Sequence, residues 1–352
     1  MKLGLLIYGS LDTLSGGYLY DRMLVDYLRK QGDAVEIISL PWRNYAAHLT
    51  DNFTFRLPPG LDVLIQDELN HPSLLWANRS KPCPVVSLVH HLRCSELRPK
   101  WQNRLYRIIE KHYLQSVDGF IFNSRTTRGV VNGLIVNRKP SIVAYPPTDR
   151  FGVQVTVDEI KLRAQASPLK ILFLGNVIER KGLHTLLDAL CSLSTEHWIL
   201  DIVGSLSTDP TYAAAMREKA SGISASIHFH GALDNVPLAE KLKAAHLLVV
   251  PSSYEGFGIV YLEGMGFGLP VIGTTAGAAG EIIEEDKTGY LIEPGNHKTL
   301  ASLLEKLIRD RALLAELSLN ALARYRQQPT WEQTAAEIRA FLLEMSEQKI
   351  AS

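Results

Sequence analysis

The chain has 352 residues, of which 46% are hydrophobic and 21% charged, a balance that excludes an intrinsically disordered protein and allows two domains. Its 37 basic and 37 acidic residues cancel, so no net charge attracts nucleic acid, and no nucleic-acid partner is expected. No apolar run reaches the ~18 residues that a membrane span needs, and the apolar start is too short for a signal peptide. The three cysteines, Cys83, Cys94 and Cys191, show neither disulfide nor metal spacing. We therefore expect a cytoplasmic protein that at most contacts the inner face of a membrane.

The first part of the chain alternates predicted strands and helices, which is typical of a parallel sheet. The strands are predicted over 2–8, 34–40, 61–65, 84–89, 119–122 and 141–145. A helix with one apolar face follows the first strand and begins at a glycine pair, Gly16 and Gly17. The pair either only forms a turn or lets the backbone approach a phosphate or a sugar closely. The dinucleotide fingerprint GxGxxG is absent.

Two histidines, His90 and His91, directly follow the fourth predicted strand. Residues just past the carboxyl end of a strand are where open parallel sheets bind their ligands. A lone histidine at such a place is usually structural, whereas two adjacent ones leave a structural role and a ligand-binding role equally open.

The segment from Arg98 to Lys111 predicts a helix that carries five basic residues. Its apolar face would consist of Trp101, Leu105, Ile108, Ile109 and His112. One interpretation is an amphipathic helix that packs on the sheet and exposes a solvated basic face. The alternative is a patch that contacts anionic lipid headgroups or a phosphorylated acceptor.

The segment 146–168 is polar and weakly patterned, which predicts a linker between two domains. We therefore assign 1–150 to a first domain and 168–330 to a second, with a last helix over about 331–352 that packs back near the first. Strands of the second domain are predicted over 169–174, 198–203, 226–229, 246–250 and 271–273, followed by a small hairpin over 288–292. Helices are predicted over 183–193, 238–245, 298–309 and 331–347, the last two closing the chain. Both halves thus indicate a doubly wound α/β architecture.

The loops of the second half carry the candidate chemistry. Gly175 and Gly204 follow its first two predicted strands, and the loop 175–182 adds Arg180 and Lys181. A cation beside the N-terminus of a helix suits a pyrophosphate group.

The stretch 251–270 contains the most specific pattern of the chain. After a buried strand, Glu255 stands in a turn with Gly256 and Gly258, a helix is predicted from about Phe257, and Glu263 lies further along it. The N–H groups at the start of that helix favour an anion, and carboxylates suit ribose and sugar hydroxyls. The set therefore suits a nucleotide diphospho-sugar, and the alternative is a glycine-rich turn with two solvated glutamates.

The Glu-x7-Glu pattern from Glu255 to Glu263, with Gly268-Leu-Pro270 after it, resembles the motif of the retaining glycosyltransferases of family four. The resemblance covers nearly the whole chain. It implies the GT-B fold, an α/β fold of two facing Rossmann-like domains with a cleft between them. It also implies a retaining hexosyltransferase that uses a UDP-sugar, or second a GDP-sugar, as co-substrate and needs no cofactor. The acceptor would be a hydroxyl of a sugar, a sugar phosphate, a lipid or a glycan. By the same resemblance, the first domain would bind the acceptor and the second would bind the donor.

The resemblance also implies roles for individual residues. Glu255 would touch the transferred hexose, and Glu263 would bind the ribose of the donor. Lys181, with the amides of Phe257 and Gly258, would hold the β-phosphate. His90, with His91 as second choice, would support the sugar and its oxocarbenium-like transition state. Further donor-binding positions are the glycine pair Gly16 and Gly17 on the diphosphate, Ala232 and Leu233 near the nucleobase, and Gly175, Arg180, Gly204, Gly256 and Ile259 around the phosphates and sugar.

Three positions depart from the family pattern. Asn176 stands where the family usually has an arginine, and Arg180 is the candidate to replace it. The linker signature is Pro146-Pro147-Thr148, and a later loop has the sequence Gly277-Ala-Ala-Gly280-Glu281. No acidic metal-binding cluster such as Asp-x-Asp is present, so metal-independent transfer is expected. The alternatives are an epimerase or phosphorylase on the same scaffold, and a non-catalytic sugar-nucleotide-binding subunit.

Overall fold

The computed structural model describes residues 1–13, 15–96, 98–136, 138–147 and 149–348. Leu14 of the predicted first loop, Thr148 of the predicted linker and residues 349–352 of the predicted last helix lie outside the described residues. The chain divides into two compact units, one comprising Met1–Pro147 and Pro329–Ser352 and the other Thr148–Gln328. We call them the first and the second unit.

Each unit contains one six-stranded parallel sheet. The strands are, in chain order, β1 Lys2–Tyr8, β2 Ala34–Leu40, β3 Val63–Asp67, β4 Val85–Val89, β5 Gly119–Phe122, β6 Ser141–Val143, β7 Leu169–Leu174, β8 Trp198–Val203, β9 Ile227–Gly231, β10 Leu247–Val249, β11 Val271–Thr274 and β12 Gly289–Ile292. The sheet of the first unit has the order β2-β1-β3-β4-β5-β6, and that of the second has the order β12-β11-β10-β7-β8-β9. The predicted two-domain α/β fold class is therefore confirmed.

The helices flank these sheets. They are, in chain order, α1 Gly16–Lys30, α2 Tyr45–Thr54, α3 Lys100–Ser116, α4 Arg125–Leu134, α5 Val157–Gln165, α6 Leu183–Leu190, α7 Pro210–Ser221, α8 Asn235–Ala244, α9 Ile259–Gly266, α10 His297–Arg309, α11 Arg311–Tyr325 and α12 Trp331–Gln348. Among the described residues, no helix is both long and apolar enough to cross a membrane.

The core of the first unit lies on both faces of its sheet. Alternate residues of β1 point to opposite faces, as the period of a strand requires. Leu3, Leu5 and Ile7 belong to one buried cluster, and Leu6 and Tyr8 to the other. The first cluster is completed by apolar residues of α1 and α12: Tyr20, Leu24, Leu28, Trp331, Ile338, Phe341, Leu342 and Met345. The last helix of the chain is therefore part of the core that the first strand begins.

Several predicted elements of the second unit were wrong. The segment 146–168 is not a featureless linker, because it contains α5, which Thr156 and Glu159 begin with a reciprocal capping box and which buries Ile160. The predicted hairpin over 288–292 is instead β12, which pairs with β11 in parallel. Three helices rather than two close the chain, since Asp310 caps a further helix, α11. In each case the apolar periodicity of the segment is weak, so the sequence did not reveal the capping or strand pairing that forms the element.

Two predictions for the first unit also need correction. Strand β3 lies two residues later than the predicted 61–65, because Gln66 is fully buried and its side chain bonds to Asn78. The apolar face predicted for α3 does not pack on the sheet: Trp101 is 69% exposed, Ile108 62% and Leu105 48%. The helix instead buries Tyr113, Leu114 and Glu110.

Replacing Phe341 of α12 by Ala tests the contribution of that helix to the first unit. Phe341 is 5% exposed, and its ring lies 3.3 Å from the position that a Cβ would take on Gly119 of β5. We expect the free energy of unfolding to fall by about 3–5 kcal/mol, measured by urea unfolding, because a cavity is left in the core. The exposed Glu344 of the same helix, replaced by Ala, is the matched control and should change stability by less than ~0.5 kcal/mol. Equal effects of the two substitutions would contradict this packing.

Candidate active site

The candidate active site of the second unit lies at the carboxyl edge of its sheet, where the loops after β7 and β10 touch. Gly182 has a φ of +74°, and a Cβ on it would lie 2.1 Å from the carbonyl oxygen of Pro251, so only glycine fits. The backbone N–H of Ser253 donates to the carbonyl of Arg180 at 2.8 Å. The Arg180 guanidinium donates in turn to the carbonyl of Tyr254 at 2.8 Å. These contacts hold the Arg180-Lys181 pair beside the residues that follow β10.

A third loop fixes the backbone of Glu255. Gly277, in the loop after β11, has a φ of +90°, and a Cβ on it would lie 2.0 Å from the carbonyl oxygen of Glu255. The N–H of Ala278 donates to that carbonyl at 2.8 Å, and the N–H of Glu255 donates to Ala276 at 3.3 Å. Residues 276–278 therefore pair with Glu255 much as a short strand would.

The side chain of Glu255 is buried in an ion pair. It is 6% exposed, and its Oε1 accepts from Lys181 Nζ at 2.5 Å and from Ser252 Oγ at 2.6 Å. Arg180 Nη1 lies 3.8 Å from the same oxygen. Burial alone raises the pKa of Glu255, but the charges of Lys181 and Arg180 and the two hydrogen bonds outweigh burial and lower this pKa to about 2. Glu255 is therefore a carboxylate at neutral pH.

The second predicted carboxylate, Glu263, also has a basic partner. It lies on α9, is 5% exposed, and its Oε1 accepts from Arg150 Nη1 at 3.2 Å. Arg150 also donates to the side chain of Asn235. Burial raises the pKa of Glu263, and the charge of Arg150 opposes that increase. Arg150 escaped prediction because it lies within the segment that its composition marked as a linker.

The remaining positions predicted in this unit surround the ion pair or follow neighbouring strands. Gly175 packs against the Lys181 side chain, whose Cδ and Cε lie 3.5 Å from the position of a Cβ, and Gly204 lies directly against the Gly175 carbonyl. Helix α9 begins at Ile259, after Gly256, Phe257 and a left-handed Gly258, two residues later than predicted. Ala232 and Leu233 follow β9, and Ala232 is exposed.

Asn176, which replaces the family arginine, has a structural contact. Its Oδ1 accepts from the N–H of Ser205 at 3.3 Å, so it joins the loops after β7 and β8. The cationic groups near Glu255 are Lys181 and Arg180.

His90 of the first unit follows β4 and is held by one face of α1. Its Nε2 lies 3.3 Å from Asp21 Oδ1, and its ring meets Tyr20 edge-on with 5.4 Å between centroids. A Cβ on Gly17 would lie 3.3 Å from His90 Cδ2. One face of α1 carries Gly17, Tyr20 and Asp21 at helical spacing. These three neighbours fix the His90 imidazole. Gly16 precedes this face and is exposed.

The charge of His90 depends on buried acids. Burial lowers the pKa of His90, but Asp21 and Asp67 outweigh burial and raise it. Burial, together with Asp21, raises the pKa of Asp67 to about 7. Asp21, Asp67 and His90 each offer one ligand atom within 4.8 Å of the others, a grouping that could hold a cation and that sequence spacing did not indicate. Metal-independent transfer therefore stays a prediction.

His91 has a different environment from His90. Its Nε2 contacts Glu96 Oε1 at 2.9 Å, and it lines a cavity of about 430 Å³ that His90 does not line. The structure thus separates the two adjacent histidines: His90 is fixed against α1, and His91 faces open volume. Within the second unit Lys181, Arg180 and Glu255 are in contact, and within the first Gly17 and His90 are. The ligand-binding and catalytic roles assigned to all these residues stay predictions.

Part of this chain is similar in sequence to curated glycosyltransferases. Residues 156–324 match the family model described as glycosyl transferases group 1. A D-inositol 3-phosphate glycosyltransferase of Jonesia denitrificans is 29% identical over 48% of this chain and 42% of its own length. A phosphatidyl-myo-inositol mannosyltransferase of Mycobacterium leprae is 28% identical over 79% of this chain and 72% of its own length. The chain thus spans less than half of the first relative and nearly three quarters of the second.

Solved structures show the same fold. A sucrose-phosphate synthase of Thermosynechococcus elongatus superposes with a TM-score of 0.79 at 18% identity, covering 99% of both chains. HepE of Anabaena, solved in complex with UDP-glucose, superposes with a TM-score of 0.76 at 20% identity, over 97% of this chain and 99% of that one. Similarity at this level of identity establishes the fold alone.

Replacing Glu255 by Gln tests the buried ion pair through its pH dependence. The substitution leaves Lys181 buried without a counter-charge, so we expect a loss on the order of 3 kcal/mol in the free energy of unfolding at about pH 7. Because the folded pKa of about 2 lies below the ordinary 4.5, this contribution is complete above about pH 5 and is lost as pH falls towards 2. Urea unfolding of both proteins at about pH 7, 4 and 3 measures it.

The control is Glu305→Gln, which removes an exposed ion pair with Arg309. That pair should contribute less than about 1 kcal/mol. The Lys181–Glu255 pair would not be stabilising if Glu255→Gln lowered the free energy of unfolding no more than Glu305→Gln does. The same would follow if the loss did not become smaller at acidic pH.

Proposed function

We propose that this chain, of which residues 156–324 match the family model described as glycosyl transferases group 1, is a retaining hexosyltransferase that uses a nucleotide diphospho-sugar. The observation that carries the proposal is the Lys181–Glu255 pair at the carboxyl edge of the second unit's sheet, with Arg180 beside it. Ligands of doubly wound sheets bind at that edge. Two cations there match the charge of a diphosphate, and a fixed carboxylate matches sugar hydroxyls.

We propose a UDP-sugar as the donor and a GDP-sugar as second choice. The HepE structure contains UDP-glucose, which favours uridine. In our proposal Lys181 and Arg180 face the diphosphate, Glu255 faces the hexose, and Glu263 binds the ribose. Since Arg150 holds one oxygen of Glu263, the ribose would share this carboxylate with Arg150 or displace it.

The proposed reaction exchanges one bond at the anomeric carbon. The acceptor hydroxyl oxygen forms a bond to C1 on the face from which the diphosphate departs, while the C1–O bond to the β-phosphate breaks. The acceptor's proton passes to the departing phosphate oxygen, so no separate protein base is required. Lys181 and Arg180 would stabilise the negative charge that develops on the leaving group. Their positions are fixed before reaction by Glu255 and Tyr254.

We propose that this transfer needs neither a metal nor a cofactor, with the two cations taking the place of a metal at the diphosphate. A cytoplasmic location is consistent with the three cysteines, none of which forms a disulfide bond. The main alternative is a non-catalytic subunit that binds the nucleotide sugar. The buried, ionised Glu255 disfavours that alternative, because a buried charge pair costs desolvation that simple binding does not require.

A more specific function is transfer to a membrane lipid or lipid-linked glycan, and the outer face of α3 favours it. Trp101, Leu105 and Ile108 are all exposed and lie at helical spacing. Lys100, Arg104, Arg107 and Lys111 flank them and are exposed, whereas the helix's acid, Glu110, is buried. An apolar stripe bordered by basic residues binds anionic lipid surfaces. One relative is named for a phosphatidyl-myo-inositol acceptor, in agreement with this proposal.

Two substitutions separate donor binding from chemistry. Glu263→Gln should weaken UDP binding about tenfold or more, because a charged hydrogen-bond acceptor is lost. Glu255→Ala should keep UDP affinity within about threefold but lower kcat about 100-fold, since it removes the group beside the reacting sugar. Calorimetry with UDP-, GDP- and ADP-sugars, and sugar release from the preferred donor, measure both effects.

Glu284→Gln, an exposed acid of the same unit, is the control and should match the wild type. Wild-type turnover in Glu255→Ala would reject the assignment. Donor binding without any turnover in the wild type would favour the non-catalytic subunit. The same assay with EDTA should give an unchanged rate, and loss of activity would reject metal independence.

Vesicle flotation tests the proposed membrane face. The protein should float with vesicles of phosphatidylcholine and phosphatidylglycerol and much less with phosphatidylcholine alone, because basic residues contribute about 1 kcal/mol each at an anionic surface. Trp101→Ala with Ile108→Ala should abolish flotation without loss of stability, since both side chains are already exposed. The control is Leu162→Ala with Val236→Ala, which removes equally exposed apolar groups outside any basic helix. This control variant should float as the wild type does. If the wild type floats with neither vesicle, a soluble acceptor is favoured.

A further inference from the structure

The cavity of about 430 Å³ in the first unit is lined by Arg93, to which no role has been assigned. Trp42, Tyr45, His71, His91, Arg93 and Glu96 are among its lining residues. Its volume suits a ligand of sugar size. If the chain is the transferase proposed above, the first unit is where the acceptor is expected, and this inference rests on that proposal.

The cationic side chain that lines the cavity without an ion-pair partner in the described part of the chain is Arg93. Its guanidinium carbon lies 5.2 Å from the centre of the Tyr45 ring and 5.0 Å from that of Tyr106. The two rings meet edge-on at 4.8 Å, so they form an aromatic corner that holds the guanidinium in one place. Among the described residues no carboxylate lies within ion-pairing distance of the Arg93 guanidinium, and its buried Nε has no hydrogen-bond partner.

The position of Arg93 is fixed through its backbone. The N–H of Arg93 donates to Glu110 Oε1 at 2.6 Å, and that of Cys94 donates to Glu110 Oε2 at 3.2 Å. The Glu110 carboxyl is thus used by backbone donors rather than by the guanidinium. The Tyr45 ring is fixed as well: His71 Nδ1 donates to the Glu68 carbonyl, so His71 Nε2 must accept the Tyr45 hydroxyl proton at 3.0 Å.

The acids around the cavity already have partners. Glu96 is paired with His91 and Arg98, and the other arginine of the lining, Arg43, pairs with Asp51 at 3.0 Å. Glu68 Oε2 accepts from the N–H of His90 at 2.9 Å. Burial lowers the pKa of His71 to about 3, so this imidazole is neutral. Arg93 therefore has no ion-pair partner among the residues that line the cavity, and Glu110, which is not one of them, attracts its charge from beyond ion-pairing distance.

A partly buried guanidinium without a counter-charge is costly unless a ligand supplies one. Guanidinium groups bind phosphate oxygens in a bidentate manner, and the half-exposed indole of Trp42 offers an apolar face beside them. We infer that this cavity binds a phosphate-bearing acceptor, with the phosphate on Arg93 and the sugar or polyol towards Trp42. The phosphate belongs either to a soluble sugar phosphate or to a phospholipid headgroup.

The test uses the full chain with its donor site filled. UDP is first titrated to saturation, so that Lys181 and Arg180 of the second unit cannot bind the probe. Inorganic phosphate and then glucose 6-phosphate are titrated calorimetrically, with glucose as the uncharged counterpart. We expect phosphate to bind in the millimolar range, at least tenfold more weakly to Arg93→Gln, and with intermediate affinity to Arg93→Lys, which keeps the charge but not the bidentate geometry.

The matched control is Arg79→Gln. Arg79 also lies over an aromatic ring of the first unit, 5.8 Å from the centre of Trp76, but it is exposed and outside the cavity. The Arg79→Gln variant should bind phosphate as tightly as the wild type does. Thermal melting of each variant shows whether it is folded, and Arg93→Lys keeps the test valid if Arg93→Gln is not.

Two further arms identify the source of the phosphate. Tighter binding of glucose 6-phosphate than of inorganic phosphate indicates a soluble acceptor, and Arg93-dependent flotation with phosphatidylinositol vesicles indicates a lipid one. Phosphate affinity that is equal in the wild type and Arg93→Gln would overturn the inference. If neither UDP nor GDP binds in the first step, the proposed function is rejected instead, so the two failures are distinguishable.

Discussion

Close backbone contact between three loops at the carboxyl edge of the second unit's sheet is the constraint on which the candidate site depends. At Gly182 and Gly277 the neighbouring carbonyl oxygen occupies the space of a Cβ, so any side chain there would push the loops apart. The contact brings Lys181 to Glu255 and excludes water from the pair. A buried pair is stable only when its geometry is fixed, and here the backbone fixes it before any ligand arrives.

In the first unit a helix, rather than loops, fixes a candidate site residue. His90 leaves the end of β4 and is surrounded by Gly17, Tyr20 and Asp21, which share one face of α1. One residue later, His91 faces the cavity that Arg93 lines. Two consecutive polar residues that follow one strand thus have different environments: the first is buried and fixed against a helix, and the second faces a ligand-sized space.

The sequence was most informative where one physical signal dominated. Apolar runs located β1, β2, β7 and β8 to the residue, and glycines located the loops that approach Glu255. Polar residues with long-range partners were not predictable. Gln66 lies in a buried strand, where its side-chain amide bonds to that of Asn78, 12 residues further along the chain. Arg150 and Arg93 have neighbours that no local pattern contains, and α3 showed an amphipathic period whose apolar side turned out to face outward. Spacing gives the period of a helix but not the direction in which it packs.

The return of α12 to the first unit affects the order in which the chain can fold during synthesis. The cluster on one face of the first sheet needs Trp331, Ile338 and Phe341, which leave the ribosome only after the second unit has been made. The second unit is continuous in sequence and can close as soon as it emerges. The N-terminal sheet meanwhile exposes one apolar face, the kind of surface that chaperones bind. In this protein the residues of the first sheet are therefore translated before the second unit but become fully buried only after it.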